Sequence, residues 1–193
     1  MTDRVRPPPP SATLRPETID FGSSCYITDH LTSYIQSRAY RAPEVILGMP
    51  YDQKIDIWSL GCVLAEVYTG QVLLHSDSVQ TLLARAVDIL GPVPERMLQL
   101  GRDVPKYFTS DFTLFERLSD EEEPGVGRGQ ITLLYPKKTT LRHRLNAFDD
   151  DFTHFINYLL TWDPMQRPTA AQALEHPWLR GAMEGKPPPY PMD

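Results

Sequence analysis

Residues 54–69, KIDIWSLGCVLAEVYT, limit what this chain can become more than any other stretch. Apolar side chains at Ile55, Ile57, Trp58, Leu60, Val63, Leu64 and Val67 recur at helical spacing but do not stay on one stripe. A helix that is apolar nearly all round is expected at the centre of a fold, with protein on every side. Gly61 and Ala65 leave room for close neighbours, and Gly70 supplies a C-terminal stop. The 193 residues suffice to wrap one such helix in a single domain.

Composition removes several classes of function. Hydrophobic residues make up 41% and charged residues 23%, which suits a soluble globular domain. A net charge of −6 with no basic stripe argues against a nucleic-acid partner held by phosphate contacts. No apolar run approaches the length of a membrane span, and the N-terminus has no apolar signal core, so no membrane partner is expected. The two cysteines, Cys25 and Cys62, lie at no metal-binding spacing and read as reduced thiols of an intracellular, cytoplasmic or nuclear protein. The five histidines are scattered. Prolines concentrate in Pro7–Pro10 and in residues 187–191, where extended tails are expected.

The chemistry lies just ahead of the apolar helix. Asp20-Phe21-Gly22 is followed about two dozen residues later by Ala42-Pro43-Glu44, and then by Asp56-Ile57-Trp58-Ser59-Leu60-Gly61. Alone, Asp-Phe-Gly reads as a turn with a permissive glycine. In this order the three elements resemble the activation segment and following helix of a protein kinase. Between them, Tyr34-Ile35-Gln36-Ser37-Arg38-Ala39-Tyr40-Arg41-Ala42-Pro43-Glu44, together with the start DFGSSC, is similar to the dual-specificity tyrosine-regulated kinases of the CMGC group. The wording LLYPKKTTLRHRL is most similar to a plant-type branch of that family.

The resemblance implies a role for each matching residue. Asp20 would be the metal carboxylate, holding Mg2+ on the phosphates of ATP. Tyr34 would be the autophosphorylated tyrosine, with Thr32 standing where a second tyrosine is often found. Phosphorylation adds nearly two negative charges and three acceptor oxygens, and Arg38 and Arg41 would grip them bidentately. Arg41 would also favour proline after the target Ser or Thr. Glu44 would form a structural ion pair with Arg167 of Asp163-Pro164-Met165-Gln166-Arg167-Pro168. Asp56 would cap backbone groups of a catalytic loop. The residues that perform catalysis, an HRD-type aspartate and a strand lysine, do not occur in the 193 residues.

The rest of the chain reads as helical lobe and connections. Residues 1–18 are expected to be a disordered Pro-rich leader, 19–179 the C-terminal lobe of a kinase domain, and 180–193 a Pro-rich tail. A helix is expected over residues 78–90 with a Ser N-cap and Gly91-Pro92 as stop, and a short helical turn over 94–100. Residues from about 104 to 145 lack long periodicity and read as a CMGC insert with an acidic run, Asp120–Glu123, and a small basic cluster, Leu141–Leu145, both taken as solvated surface. Asp149–Asp151 open a helix carrying Phe152, Phe155, Ile156, Leu159 and Leu160, and Thr169 with Gln172 forms a capping box for the last one, closed by Pro177-Trp178-Leu179.

The expected fold class is therefore mainly α: a kinase C-terminal lobe with its N-lobe and catalytic loop missing. Two functions are open. One is a partial kinase of the Ser/Thr and tyrosine-autophosphorylating kind, using Mg2+ and ATP on protein substrates, with this chain alone inactive. The other is a stand-alone pseudokinase lobe that binds or scaffolds a kinase or regulator protein.

Overall fold

Most helix boundaries are fixed by side chains that satisfy orphan backbone groups. The computed structural model describes residues 21–26, 35–117, 131–147 and 149–183. The leader, the tail beyond residue 183, the acidic run Asp120–Glu123, and the sites assigned to Asp20, Thr32 and Tyr34 lie outside the described residues.

A short helix, α1 (Pro43–Ile46), begins with proline at its first position and precedes the central helix α2 (Lys54–Thr69). Helix α2 starts where Asp52 Oδ1 accepts from the Lys54 N–H at 2.8 Å. It ends on Gly70, whose φ of +72° is the left-handed cap that a side chain would oppose. Helix α3 (Val79–Leu90) has the expected Ser78 cap as a full capping box with Thr81, and α4 (Glu95–Leu100) matches the predicted turn. Helix α5 (Leu141–Leu145) is capped by Thr140, α6 (Asp150–Leu159) by Asp149, and α7 (Ala170–Leu174) by the Thr169–Gln172 box. Helix α8 (Pro177–Met183) runs four residues past the boundary expected at 179.

Two parts of the insert depart from a loop. Residues 115–117 (β1) and 131–133 (β2) form an antiparallel hairpin in the register Phe115↔Leu133 and Arg117↔Ile131. Each strand is three residues long, too short for a period-2 pattern to stand out from the surrounding chain. The basic cluster Leu141–Leu145 is helix α5, anchored by buried Leu141 and Leu145 with its basic side chains outward.

Helix α2 packs chiefly on α6, on the 3-10 turn Arg38–Tyr40 and on α5. Ile55, Ile57, Trp58, Gly61, Cys62 and Ala65 are buried there. At Gly61 an added Cβ would meet Leu160 Cδ2 at 2.9 Å and Leu159 Cβ at 3.1 Å, so the glycine sets how closely α6 approaches. All-round burial is not observed. Leu60, Val63 and Val67 are exposed, Val67 by 77%, and with exposed Asp56 they occupy positions i, i+4, i+7 and i+11 of one face. That face is only partly covered, so the apolar pattern recorded how much of the helix could be covered, not how much these residues cover.

At the end where α6 and α8 meet, an aromatic group closes the core. Phe155 stacks on Trp178 at 5.1 Å, and the Trp178 indole donates to Asp149 Oδ2 at 3.3 Å. His154 Nδ1 and His176 Nε2 are 2.8 Å apart. Because His176 Nδ1 accepts from the Trp178 N–H at 3.2 Å, its Nε2 carries the proton and donates to His154.

Cys62 is 1% exposed, and burial pushes its thiol up to about 12, with nearby Arg167 opposing the shift. Cys25 is exposed. A thiol-specific reagent near pH 8 is therefore expected to modify one cysteine of the native chain, Cys25, and to reach Cys62 only in denaturant. Mass mapping of the alkylated peptides reads the outcome directly, and native labelling of Cys62 contradicts it.

Candidate functional site

The segment from Ile35 to Ile46 is held against α2 by one glutamine that the sequence reading passed over. Gln36 takes a φ of +63°, uncommon for a side-chain-bearing residue. Its amide then reaches into the fold. Nε2 donates to Ile55 O at 2.9 Å and to Ser59 Oγ at 2.7 Å, while Oε1 accepts from the Ala42 N–H at 2.9 Å. Ser59 Oγ in turn donates to Tyr40 O at 2.8 Å, and the Tyr40 hydroxyl donates to Glu66 Oε2 at 2.6 Å. That last hydrogen bond, with partial burial, raises the Tyr40 pKa and keeps the phenol protonated. Only the fixed distance from Gln36 to Ala42 could have betrayed the clasp in sequence.

Replacing Gln36 by alanine is expected to cost about 1–3 kcal/mol, because the buried Ala42 N–H and Ser59 hydroxyl lose partners. Denaturant melts of the variant measure it; a change below about 0.5 kcal/mol would show that the clasp contributes no net stability.

The two arginines assigned to the phosphotyrosine have defined positions. Arg41 is buried, with Nε donating to Ile35 O at 3.0 Å and Nη2 to Gln36 O at 2.9 Å. Arg38 is exposed, and its Nη1 donates to Asp77 O at 2.6 Å. Both guanidinium groups thus lie on the stretch that follows position 34.

Behind this segment stands the Glu44–Arg167 pair, joining residues 123 apart in sequence. Arg167 Nη1 and Nη2 donate to Glu44 Oε1 and Oε2 at 2.6 and 2.8 Å, a bidentate fork with both side chains at 0% exposure. The remaining donors go to backbone: Nε to Thr161 O at 2.9 Å, Nη1 to Lys54 O at 3.0 Å and Nη2 to Trp162 O at 3.0 Å. All five guanidinium N–H groups therefore have an acceptor. The guanidinium carbon also lies 5.2 Å from the centre of the Trp58 ring. The turn that carries Arg167 is set by Asp163, whose Oδ1 accepts from the Met165 N–H at 2.9 Å and whose carboxylate takes Arg96 Nη1 at 3.2 Å.

On the other side of Gln36 an open cavity of about 360 Å3 is lined by Ser24, Cys25, Tyr26, Gln36, Tyr51 and Asp56, among others. Asp56 caps no backbone group among the described residues; it is exposed, and partial desolvation raises its carboxyl pKa. Phe21, next to the position of Asp20, is 67% exposed. The described residues contain no group of three potential metal ligands, and Asp20 lies outside them. They do not by themselves assemble a Mg2+–ATP donor set.

A family model of the protein kinase domain matches residues 14–179. The chain belongs to the protein kinase family. Its domain is mostly helical, with the two-stranded β1–β2 sheet, and such domains in general use ATP with a divalent metal on protein substrates. Among curated relatives it is similar to dual specificity tyrosine-phosphorylation-regulated kinase 4 of Homo sapiens, 39% identical over 91% of this chain and 32% of that protein. It is also similar to serine/threonine-protein kinase ppk5 of Schizosaccharomyces pombe, 36% identical over 90% of this chain and 20% of that protein. A third relative is the probable serine/threonine-protein kinase dyrk2 of Dictyostelium discoideum, 38% identical over 83% of this chain and 17% of that protein. The dual-specificity tyrosine-regulated resemblance of residues 20–44 thus extends over most of the chain, which spans a third or less of these relatives' length.

Proposed function

We propose that this chain is the C-terminal lobe of a dual-specificity kinase and that residues 20–44 are its activation segment. The observation that carries the reading is the anchoring of residues 35–44: Gln36 and Arg41 tie the segment to α2 and to itself, and Glu44 fixes its far end on Arg167. A segment pinned at these points presents a groove for a Ser or Thr peptide. Tyr34 is its phosphorylation site, and Arg38 and Arg41 receive the phosphate. In a complete kinase Asp20 would hold Mg2+ on ATP, and Asp56, exposed at the start of α2, would meet the catalytic loop. The free thiols suit an intracellular setting.

By itself the 193-residue chain lacks the HRD-type aspartate and the strand lysine, so it is expected to transfer no phosphate. The pure chain incubated with labelled ATP, Mg2+ and a Ser/Thr protein substrate should give no incorporation above a no-enzyme blank; measurable incorporation refutes the reading. The outward apolar stripe Leu60–Val63–Val67 favours a second reading, a protein-binding pseudokinase lobe. Both readings expect no nucleotide-dependent rise in Tm for this chain. They separate on joining the chain to an N-lobe and catalytic loop from a relative, which restores transfer only under the first.

A further inference from the structure

We propose that the surface built by the C-terminal half of α3 and residues 135–144 is a docking site for an acidic peptide segment of a partner protein. The chain is acidic, with 25 Asp and Glu against 19 Lys and Arg, yet four exposed cations gather here: Arg85 on α3, Lys137 and Lys138 on the connection, and Arg144 on α5. The connection is stitched to α3 by the Thr139 N–H, which donates to Asp88 O at 3.1 Å.

These cations gather in one place with no carboxylate within ion-pair distance of any of them among the described residues. Elsewhere most exposed cations are matched, Arg96 to Asp163, Arg102 and Lys106 to Asp103, Arg180 to Glu175, and Arg142, on α5 itself, to Asp150, while Arg38 and Arg117, exposed without a carboxylate partner among the described residues, lie outside the patch. Among the described residues the one acidic group inside the patch is Asp88. Burial pushes its carboxyl up while Arg85, Lys137 and Arg144 pull it down, so all three lie within its field. Its Oδ1 is buried and has no hydrogen-bond partner among the described residues, so it pairs with none of them. Four positive charges are left facing one inward acid. Two residues before Lys137, Tyr135 is 76% exposed and offers a ring for an apolar residue beside the acids.

Overall charge selects the class of partner. Screening limits each surface charge to roughly 8 Å at physiological salt. A short acidic peptide on the patch therefore feels the four cations and little of the remaining surface. A long polyanion such as duplex DNA would extend over the acidic remainder of the molecule and be repelled there. The proposal concerns a surface outside the activation segment and stands independently of the phosphotransfer reading.

The test uses the full 193-residue chain, without nucleotide, and a fluorescent peptide of alternating Glu and Asp with one Phe, followed by anisotropy. Saturable binding is expected, weakening at least about tenfold between about 50 and about 300 mM salt. A Gln/Asn version of the peptide should not bind. The double variant Lys137→Glu with Arg144→Glu should lose at least about tenfold in affinity, whereas Arg180→Glu on α8 should not. If the charge-reversed protein fails to fold by circular dichroism, Arg85→Gln with Lys137→Gln replaces it and should weaken binding severalfold. No saturable binding of the acidic peptide, unchanged affinity in the folded patch variants, or tighter binding of duplex DNA or of phosphatidylserine vesicles would each overturn the proposal.

Discussion

Arg167→Ala is expected to destabilise the domain by about 3–5 kcal/mol, enough to unfold much of the population of an ordinary domain. The size follows from what is left behind. Glu44 remains with its carboxylate sealed in the core, and the carbonyls of Lys54, Thr161 and Trp162 lose their donor in the same step. Glu44→Ala should cost a similar amount by stranding the guanidinium. Arg167→Lys should recover little, since an ammonium offers three donors from one point where the site uses five from a planar fork. The double variant Glu44→Leu with Arg167→Met should be more stable than either alanine variant, because it removes both charges together. Urea melts of the four proteins measure this; an Arg167→Lys protein as stable as the parent would show that the fork geometry is immaterial.

Trp58→Ala carries the second large effect, about 3–5 kcal/mol. Trp58 is 1% exposed, packs on Trp162 with ring centres 5.8 Å apart, and faces the Arg167 guanidinium. Its indole nitrogen has no hydrogen-bond partner among the described residues, so the polar end contributes nothing that a benzene ring would lose. Trp58→Phe is therefore expected to cost below about 1.5 kcal/mol, since it keeps most of the volume and the face. Thermal melts of the two variants decide it: equal losses would place the energy in the indole N–H.

Much of this was legible in the residues. Helix starts announce themselves locally, which is why the Ser78 cap, the acidic start at Asp149–Asp151 and the Thr169 box could be placed and the helices after them followed. The Glu44–Arg167 pair was legible only through family resemblance, because nothing local links residues so far apart. Gln36 was missed because its role depends on a positive φ and on three partners drawn from three places. The β1–β2 hairpin was missed because strands of three residues are fixed by their pairing, not by their own pattern. The all-round burial expected of α2 failed for a different reason: hydrophobicity states a preference, and the exposed Leu60, Val63 and Val67 show that a preference can go unmet.

The Glu44–Arg167 pair also sets an order of events during synthesis. The ribosome releases the chain from its N-terminus, and position 44 emerges 123 residues before its partner. Until Arg167 follows, Glu44 has no counter-charge to justify burial and the segment ending at Ala42-Pro43-Glu44 has no fixed end. The loop that would face substrate is therefore made well before it can be set, a long-range closure that slows folding and waits on the emergence of Arg167.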